Sequence, residues 1–325
     1  MKMPRRRFLH WTAGAAAATA LPAKAFALDY PTRPIHWIIG FPPGGGADIV
    51  ARIMGGWLSA RLGQQIIIEN KPGAGTNIAT AAVINSPPDG YTLLWAGISN
   101  VINTTVYATL PFDFLKDIAP VSGMVVYPMV FVVHPSVPAK NIPELIALAK
   151  ANPGKITLAS YGTGTISQVA GELFKERAGI NMIHVPYRGG APMLSDLIGG
   201  QVQVALDVVA GSLAHIRSGA ARALAVTTAT RLDALRDIPT VAETLPGYEA
   251  TAFAGVGVPT GTPDEIIERL NREINAGLRD PDINVRLNEL TVTPLILTPA
   301  EFGAHMVAET EKWAKVIKLA NIKAE

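Results

Sequence analysis

Residues 40–52 read GFPPGGGADIVAR, and this stretch joins an apolar run to an amphipathic one. The apolar run, PIHWIIGF at residues 34–41, is short and predicts a buried strand. Residues 47–62 place their large apolar side chains on one face and predict a helix. The prolines and glycines between them tolerate unusual backbone angles and carry no bulky side chains. Such a loop suits close approach to a ligand, and it also suits a plain tight turn.

The same order of strand and helix recurs along the chain. Strand-like segments at residues 65–70 and 91–97 precede further helical segments. The second half repeats the pattern with VFVVHP, ITLASYG, MIHVPY, VQVALDV and ALAVTTA, and predicts helices at 143–151 and near 192–198. This alternation predicts an α/β fold with parallel-rich sheets covered by helices on both faces.

Two apolar stretches indicate crossings between domains. The first is VVYPMVFVVHPS at residues 125–136, and the second is YEATAFAGVGVP at residues 248–259. A middle segment bounded by two crossings indicates an inserted domain. We therefore predict one lobe from residues 28–126 and 255–325, and a second lobe from residues 127–254.

The N-terminus has the features of an export signal. A basic start, MKMPRRRFL, is followed by an alanine-rich apolar stretch and small-x-small sites, so we predict cleavage after Ala27. Three arginines before Phe-Leu fit the twin-arginine pattern, and an ordinary secretory signal is the alternative. Residues 1–27 hold five of the 28 basic residues and none of the 26 acidic ones, which leaves 23 basic residues in the mature chain. We expect a soluble, slightly acidic periplasmic protein.

The sequence lacks the features of several function classes. Once the signal is removed, no basic stripe remains for nucleic acid, and no later segment is apolar enough to span a membrane. Cysteine is absent, and no two histidines stand four residues apart. No complete G-x-G-x-x-G, G-x-S-x-G or H-E-x-x-H motif occurs. We predict no cofactor, no metal and no catalytic residue.

Three glycine-rich turns between strands and helices remain: PPGGGAD, PGAGTN and YGTGTIS. The N–H groups at a helix start are unpaired, and the helix dipole makes that end favourable for anions. Hydroxyl and amide side chains lie in or beside these turns, at Thr76, Asn77, Thr163, Thr165 and Ser167. Each of them also suits helix capping. Their recurrence in both predicted lobes favours a site for a small acid.

The chain closely resembles the substrate-binding proteins of tripartite tricarboxylate transporters, the TctC-like or Bug-type receptors. The resemblance runs from about Tyr30 to Ile322 and rests on many stretches together, among them YPTRPIHWIIGFPPGGGADIVAR, ENKPGAGTNIA, SYGTGTISQVAGELF and HVPYRGGAPMLSDLIGGQV. It implies a periplasmic-binding-protein fold of two α/β lobes with the ligand in the cleft between them. It also implies a small carboxylate ligand: a dicarboxylate or tricarboxylate, an acidic amino acid, or an aromatic acid.

The resemblance implies binding residues on both lobes. In such proteins the Pro-Gly loop of the first lobe closes on the ligand, partly through bridging water. The implied residues of the first lobe are Phe41, Gly44, Gly45, Ala47, Asp48, Asn77 and Ser99. Those of the Gly-x-Gly-Thr turn on the second lobe are Tyr161, Thr163, Gly164 and Thr165.

Three further positions bear on ligand preference. Gln168 stands where relatives usually have histidine, and glutamine keeps hydrogen bonding but cannot become cationic. Arg188 either holds a distal carboxylate or is a solvated loop residue. Asp207 either favours a ligand amine or hydroxyl or caps the next helix. Asp48 likewise has a plain N-cap as its alternative.

We therefore predict a periplasmic receptor, not an enzyme, that binds a small carboxylate and delivers it to the membrane subunits of a tripartite transporter. We expect it to act as a monomer. A ligand sensor for a signalling partner is one alternative. An α/β enzyme with a site that the motifs do not reveal is the other.

Overall fold

The computed structural model describes residues 29–319 and 322–323, so the predicted export signal lies outside the described residues. In the described part, ten strands alternate with eleven helices. The strands are β1 (Ile35–Ile39), β2 (Ile66–Asn70), β3 (Thr92–Gly97), β4 (Ile118–Val133), β5 (Thr157–Ser160), β6 (Ile183–Pro186), β7 (Val204–Val208), β8 (Arg222–Val226), β9 (Thr251–Pro259) and β10 (Thr293–Pro294).

The helices cover these strands. They are α1 (Gly46–Leu62), α2 (Asn77–Ile84), α3 (Ile98–Val106), α4 (Phe114–Asp117), α5 (Ile142–Ala151), α6 (Ile166–Ala178), α7 (Gly190–Ile198), α8 (Val209–Arg217), α9 (Asp264–Arg279), α10 (Pro281–Glu289) and α11 (Pro299–Leu319). Local sequence accounts for their ends. Asn141 caps α5 by accepting from the N–H of Glu144, and Gly63 ends α1 in the left-handed region at φ 70°.

The strands form two sheets that share β4. In the first sheet the order is β2, β1, β3, β9 and β4, with β10 also paired to β4. In the second sheet β4 pairs with β7 and β8, and β5 lies between β7 and β6. The change of sheet falls between Pro128, which pairs with β9, and Met129, which pairs with β7. One continuous strand therefore links the two halves.

Each sheet has its own aromatic core. The rings of Trp37 and Trp95 in the first sheet lie 5.7 Å apart. In the second, the ring of Phe131 on β4 lies 4.6 Å from Phe174 and 6.5 Å from Tyr248. The long helix α11 packs against α3 and β4, so the C-terminal part of the chain covers the first sheet.

The α/β architecture is confirmed, and the predicted parallel pairing needs a correction. Parallel pairs join β1 to β2 and β3, and β5 to β6 and β7. The crossing strands β4 and β9 pair antiparallel to each other and to their other neighbours. A chain that crosses between two halves and returns must run in opposite directions, which the strand-helix rhythm does not indicate. The lobe boundaries at 126/127 and 254/255 stay predictions.

Candidate functional site

Residues from both sheets surround a cavity of about 620 Å³, including the space open to solvent. Its wall carries the rings of Phe41, Trp95, Tyr127, Tyr161 and Phe253, so we call it the aromatic cavity. Trp95 comes from β3, Tyr127 from β4 and Phe253 from β9, while the other two follow β1 and β5. The cavity therefore presents a largely apolar surface to a ligand.

Five helices begin at the aromatic cavity. The lining residues from their starts are Gly46 and Ala47 of α1, Ile98 and Ser99 of α3, Ile166 of α6, Gly190 of α7, and Val208 directly before α8. The first N–H groups of a helix have no partner within the helix, and its dipole adds partial positive charge there. Five such ends around one cavity make it favourable for an anion.

Side-chain charge adds little to this arrangement. Among the described residues that line the aromatic cavity there is no lysine, arginine or histidine, and Asp207 supplies the one carboxyl group. An anion there would be held by backbone N–H groups and the hydroxyl of Ser99, because the side-chain amide of Asn100 already donates to the hydroxyls of Thr76 and Thr80. The arrangement suits one carboxylate attached to an apolar body better than several carboxylates that each need a cation.

The third residue of three cavity helices holds the loop before it. Asp48 of α1 accepts from the N–H of Gly44 at 3.0 Å. Asn100 of α3 accepts from Gly97 at 2.8 Å, and Gln168 of α6 accepts from Gly164 at 2.8 Å. These side chains satisfy N–H groups that the helix leaves free. They position the loops that face the cavity.

Of these three side chains, Asp48 makes the most hydrogen bonds. Its carboxylate is buried and also accepts from the guanidinium of Arg52 at 2.9 and 3.0 Å and from the amide of Asn70 at 3.0 Å. Burial raises the pKa of Asp48, but hydrogen bonds from Arg52, Gly44 and Asn70 outweigh it and hold that pKa below its ordinary value. With its oxygens occupied, Asp48 supports the Pro-Gly loop from behind.

Replacing Asp48 by alanine is expected to lower the free energy of unfolding by about 2–3 kcal/mol at pH 7, since a buried, charge-assisted network is lost. Because the folded pKa of Asp48 is depressed, its contribution is complete above its unfolded pKa, near 4. It disappears as the pH falls through the folded pKa. Urea unfolding of wild type and Asp48→Ala at pH 7 and pH 3 measures both effects.

The matched control for that variant is Asp233→Ala. Asp233 also pairs with an arginine, Arg236 at 3.0 Å, but both side chains are exposed. Exposed pairs contribute little to stability, so this control should unfold like wild type. Equal stability of the Asp48 and Asp233 variants at pH 7 would contradict a supporting role for Asp48.

Asp207 faces the aromatic cavity from the end of β7. Its side chain is buried and accepts from the hydroxyl of Ser212 at 2.7 Å and from the N–H of Val208. Burial raises the pKa of Asp207 to about 7, against the lowering effect of these two hydrogen bonds. The same burial, with the charge of Asp207, raises the pKa of the nearby Tyr161 phenol. The hydrogen bond from Ser212 ties Asp207 to α8, whose N-cap residue is Val208 and has no side-chain cap, and the cavity contact agrees with a ligand role.

A second cavity, of about 910 Å³ with its open part, adjoins the first. We call it the loop cavity, because Thr163, Thr165 and Arg188 line it from the glycine-rich loops. The rings of Phe41 and Tyr161 line both cavities and meet edge to face, with centroids 6.1 Å apart. These two rings therefore lie between the two spaces.

The residues implied by the resemblance fall into three groups. Those that line the aromatic cavity are Phe41, Gly45, Ala47, Ser99, Tyr161 and Asp207. Those that line the loop cavity are Phe41, Tyr161, Thr163, Thr165 and Arg188. Those that line neither are Gly44, Asp48, Asn77, Gly164 and Gln168. Asn77 accepts from Asn103 at 2.9 Å, which ties the start of α2 to α3.

Sequence reasoning missed four residues of this region. Trp95 lies in a segment that predicts a strand, and Tyr127 and Phe253 lie in the stretches predicted as crossings between domains, but nothing in the pattern shows that the three meet at one cavity. Asn100 had a usable signal, since a polar residue at the third position of a helix after glycine commonly binds the preceding loop.

In the described ranges the structure shows no cluster of metal-ligating side chains and no helix long and apolar enough to cross a membrane.

Two sheets joined by crossing strands, with a cavity at the starts of helices from both, define a two-lobed solute-binding protein of the periplasmic type. The comparisons agree at the level of family. The chain belongs to the tripartite tricarboxylate transporter family receptors, TctC, whose family profile matches residues 50–322.

Individual relatives resemble the chain over most of its length. Protein BugT of Bordetella pertussis is 35% identical over 310 residues, which cover 94% of this chain and 95% of BugT. The solved structure of R. palustris Rpa4515 with adipate is 36% identical, with a TM-score of 0.89 over 91% of this chain and 99% of that one. The periplasmic binding protein BugD is 32% identical, with a TM-score of 0.88 over 91% and 100%.

Proposed function

We propose that this receptor captures a small carboxylate with an apolar body in the aromatic cavity. The observation that carries the proposal is the convergence of five helix starts on a cavity that, within the described part of the chain, has aromatic walls and no cationic lining residue. A hydrogen bond to a charged group contributes about 1.5–3 kcal/mol, so a few backbone N–H groups suffice for one carboxylate. The relative Rpa4515, solved with adipate, supports a carboxylate with a hydrocarbon body.

Capture by lobe closure forms part of this proposal. Residues 28–126 and 255–325 would move as one lobe against residues 127–254. Contacts between these two parts are close: a Cβ on Gly75 would lie 2.5 Å from the carbonyl oxygen of Thr163, and one on Gly189 would lie 2.3 Å from Pro42.

Export and delivery complete the proposed role. The precursor would lose its signal after Ala27, and the mature receptor would act as a monomer in the periplasm. The membrane subunits of a tripartite transporter would take the ligand from the closed form. A ligand sensor has the same cavity and closure, and differs only in the partner that binds the closed form.

One structural feature bears on the enzyme alternative. The hydroxyl of Ser160 lies 2.7 Å from Nε2 of His184, as in a nucleophile and base. Ser160 is 1% exposed, lines neither cavity, and accepts from the N–H of Gly162 at 3.2 Å. These contacts support a role in holding the glycine-rich loop, because a nucleophile must reach its substrate.

The proposal predicts a specific pattern of thermal stabilisation by small molecules. Benzoate, at 100 times its dissociation constant, should add about 2.7 kcal/mol, a rise in Tm of about 4 °C for a chain of this length. Benzamide should not stabilise, because it lacks the charge, and citrate should be weaker because only one carboxylate finds donors. Equal shifts with benzoate and benzamide, or the largest shift with citrate, would contradict the proposal.

A further inference from the structure

Asp207 is a carboxyl group inside a cavity that otherwise favours anions. It is 2% exposed, and its neighbours leave it little room for water. A Cβ on Gly211 would lie 2.7 Å from Oδ2, and one on Gly190 would lie 3.3 Å from Oδ1. The starts of α7 and α8 therefore pack directly against the carboxyl oxygens.

The groups around Asp207 offer donors but no countercharge. Ser212 of α8 and the N–H of Val208 donate to it, and the phenols of Tyr127 from β4 and Tyr161 from the loop after β5 share the cavity. The Tyr127 hydroxyl is buried and has no hydrogen-bond partner among residues 29–319 and 322–323. Within the described lining, no lysine, arginine or histidine faces Asp207 from any of these elements.

A carboxylate ligand in the same cavity would stand beside this acid. Two negative charges in a small, poorly solvated space repel each other, whereas a neutral acid can donate a hydrogen bond to the ligand. The unpartnered Tyr127 hydroxyl can donate to the same ligand. Burial already holds the pKa of Asp207 near neutrality, so protonating Asp207 at physiological pH costs little free energy.

We propose that Asp207 takes up one proton when the receptor captures its acid, so that ligand binding is coupled to protonation. The inference rests on the proposed function of the aromatic cavity. The proton comes from solvent, neutralises Asp207 and is released when the cavity opens. Affinity for an acid therefore rises as the pH falls toward the pKa of Asp207 and levels off below it.

The test is titration calorimetry of the exported chain with benzoate at pH 6.5 and pH 8.5. Benzoate is ionised throughout, so wild type should bind it about 10-fold or more tightly at pH 6.5. At pH 8.5, the binding enthalpies measured in phosphate and in Tris should differ, because the buffer supplies nearly one proton for each ligand bound. Asp207→Asn, which is neutral at every pH, should bind equally at both and exchange no proton.

The possible outcomes separate this inference from the proposed function. Benzoate binding that is independent of pH and buffer overturns proton coupling and leaves the receptor role standing. An amino acid that binds without proton uptake and needs the Asp207 carboxylate also overturns it, since Asp207 would then pair with an ammonium group. If benzoate fails to bind, the proposed function fails. Carbon-13 NMR of the Asp207 carboxyl group then still tests the inference on proton uptake. Ionisation of Asp207 that is complete below pH 5 overturns that inference.

Discussion

Gly164→Ala is expected to reduce affinity for benzoate by about 100-fold or more. Gly164 adopts φ 75°, and a Cβ there would lie 2.1 Å from Oδ1 of Asn103 and 2.8 Å from the ring of Tyr107. Both neighbours belong to the other proposed lobe, so the added methyl group would keep the lobes apart. Calorimetric titration with benzoate measures the loss.

Gly219→Ala is the matched control for this substitution. Gly219 has φ 76°, almost the same as Gly164, but a Cβ there has no neighbour within 4 Å. Both variants bear the cost of a left-handed alanine, about 1–2 kcal/mol of stability. Only Gly164→Ala should lose binding. Equal affinity of the two variants would argue against closure at this contact.

Ser99→Asp should weaken benzoate binding by a similar factor, about 100-fold. Ser99 is the second residue of α3 and lines the aromatic cavity. An aspartate at this position would place its own carboxylate where the helix start attracts the ligand, and the two charges would repel each other. The helix itself favours an acid in its first turn, so the variant should remain folded.

The control for Ser99→Asp adds the same charge to the same helix at a position outside the cavities. Thr104 is exposed on α3, away from both cavities, so Thr104→Asp should bind benzoate like wild type. Fluorescence titration can follow both variants because Trp95 lines the cavity. Normal binding by Ser99→Asp would mean that the start of α3 does not hold the carboxylate.

Local patterns predict the elements of this fold well. The segment predicted as a helix at 47–62 is α1, Gly46–Leu62, and the strand predicted at 65–70 is β2, Ile66–Asn70. Apolar periodicity and glycine positions act over a few residues, so they can be read directly from sequence. The antiparallel pairing of β4 with β9 depends on residues more than 100 positions apart, and no local signal encodes it.

The candidate site was predicted less completely than the fold. Polar residues beside glycine-rich turns, such as Asp48 and Gln168, were natural candidates for ligand contacts. Their oxygens instead accept from the N–H groups of their own loops, and both residues lie outside the cavity linings. Sequence shows which residues stand near a turn, but the direction of a side chain follows from packing. A polar residue at a helix start can contact a ligand or support its own loop, and its hydrogen bonds decide between these two roles.

The aromatic wall explains why the sequence alone did not decide between the classes of acid that the receptor could bind. Family resemblance alone implied a dicarboxylate or tricarboxylate, an acidic amino acid, or an aromatic acid. Tyr127 and Phe253 come from the two crossing strands, and their meeting beside Trp95 depends on the pairing of β4, β9 and β3. Once that pairing is known, the apolar surface and the absence of cations among the described lining residues support the proposed acid with one carboxylate on an apolar body.

A crystal structure of the receptor with the acid that gives the largest thermal shift tests the central claim most directly. The account predicts the ligand in the aromatic cavity, with its carboxylate about 3 Å from backbone N–H groups at the starts of α1 and α3. Its body should lie against Trp95 and Phe253. A ligand found in the loop cavity, with its carboxylate on Arg188, would contradict the account.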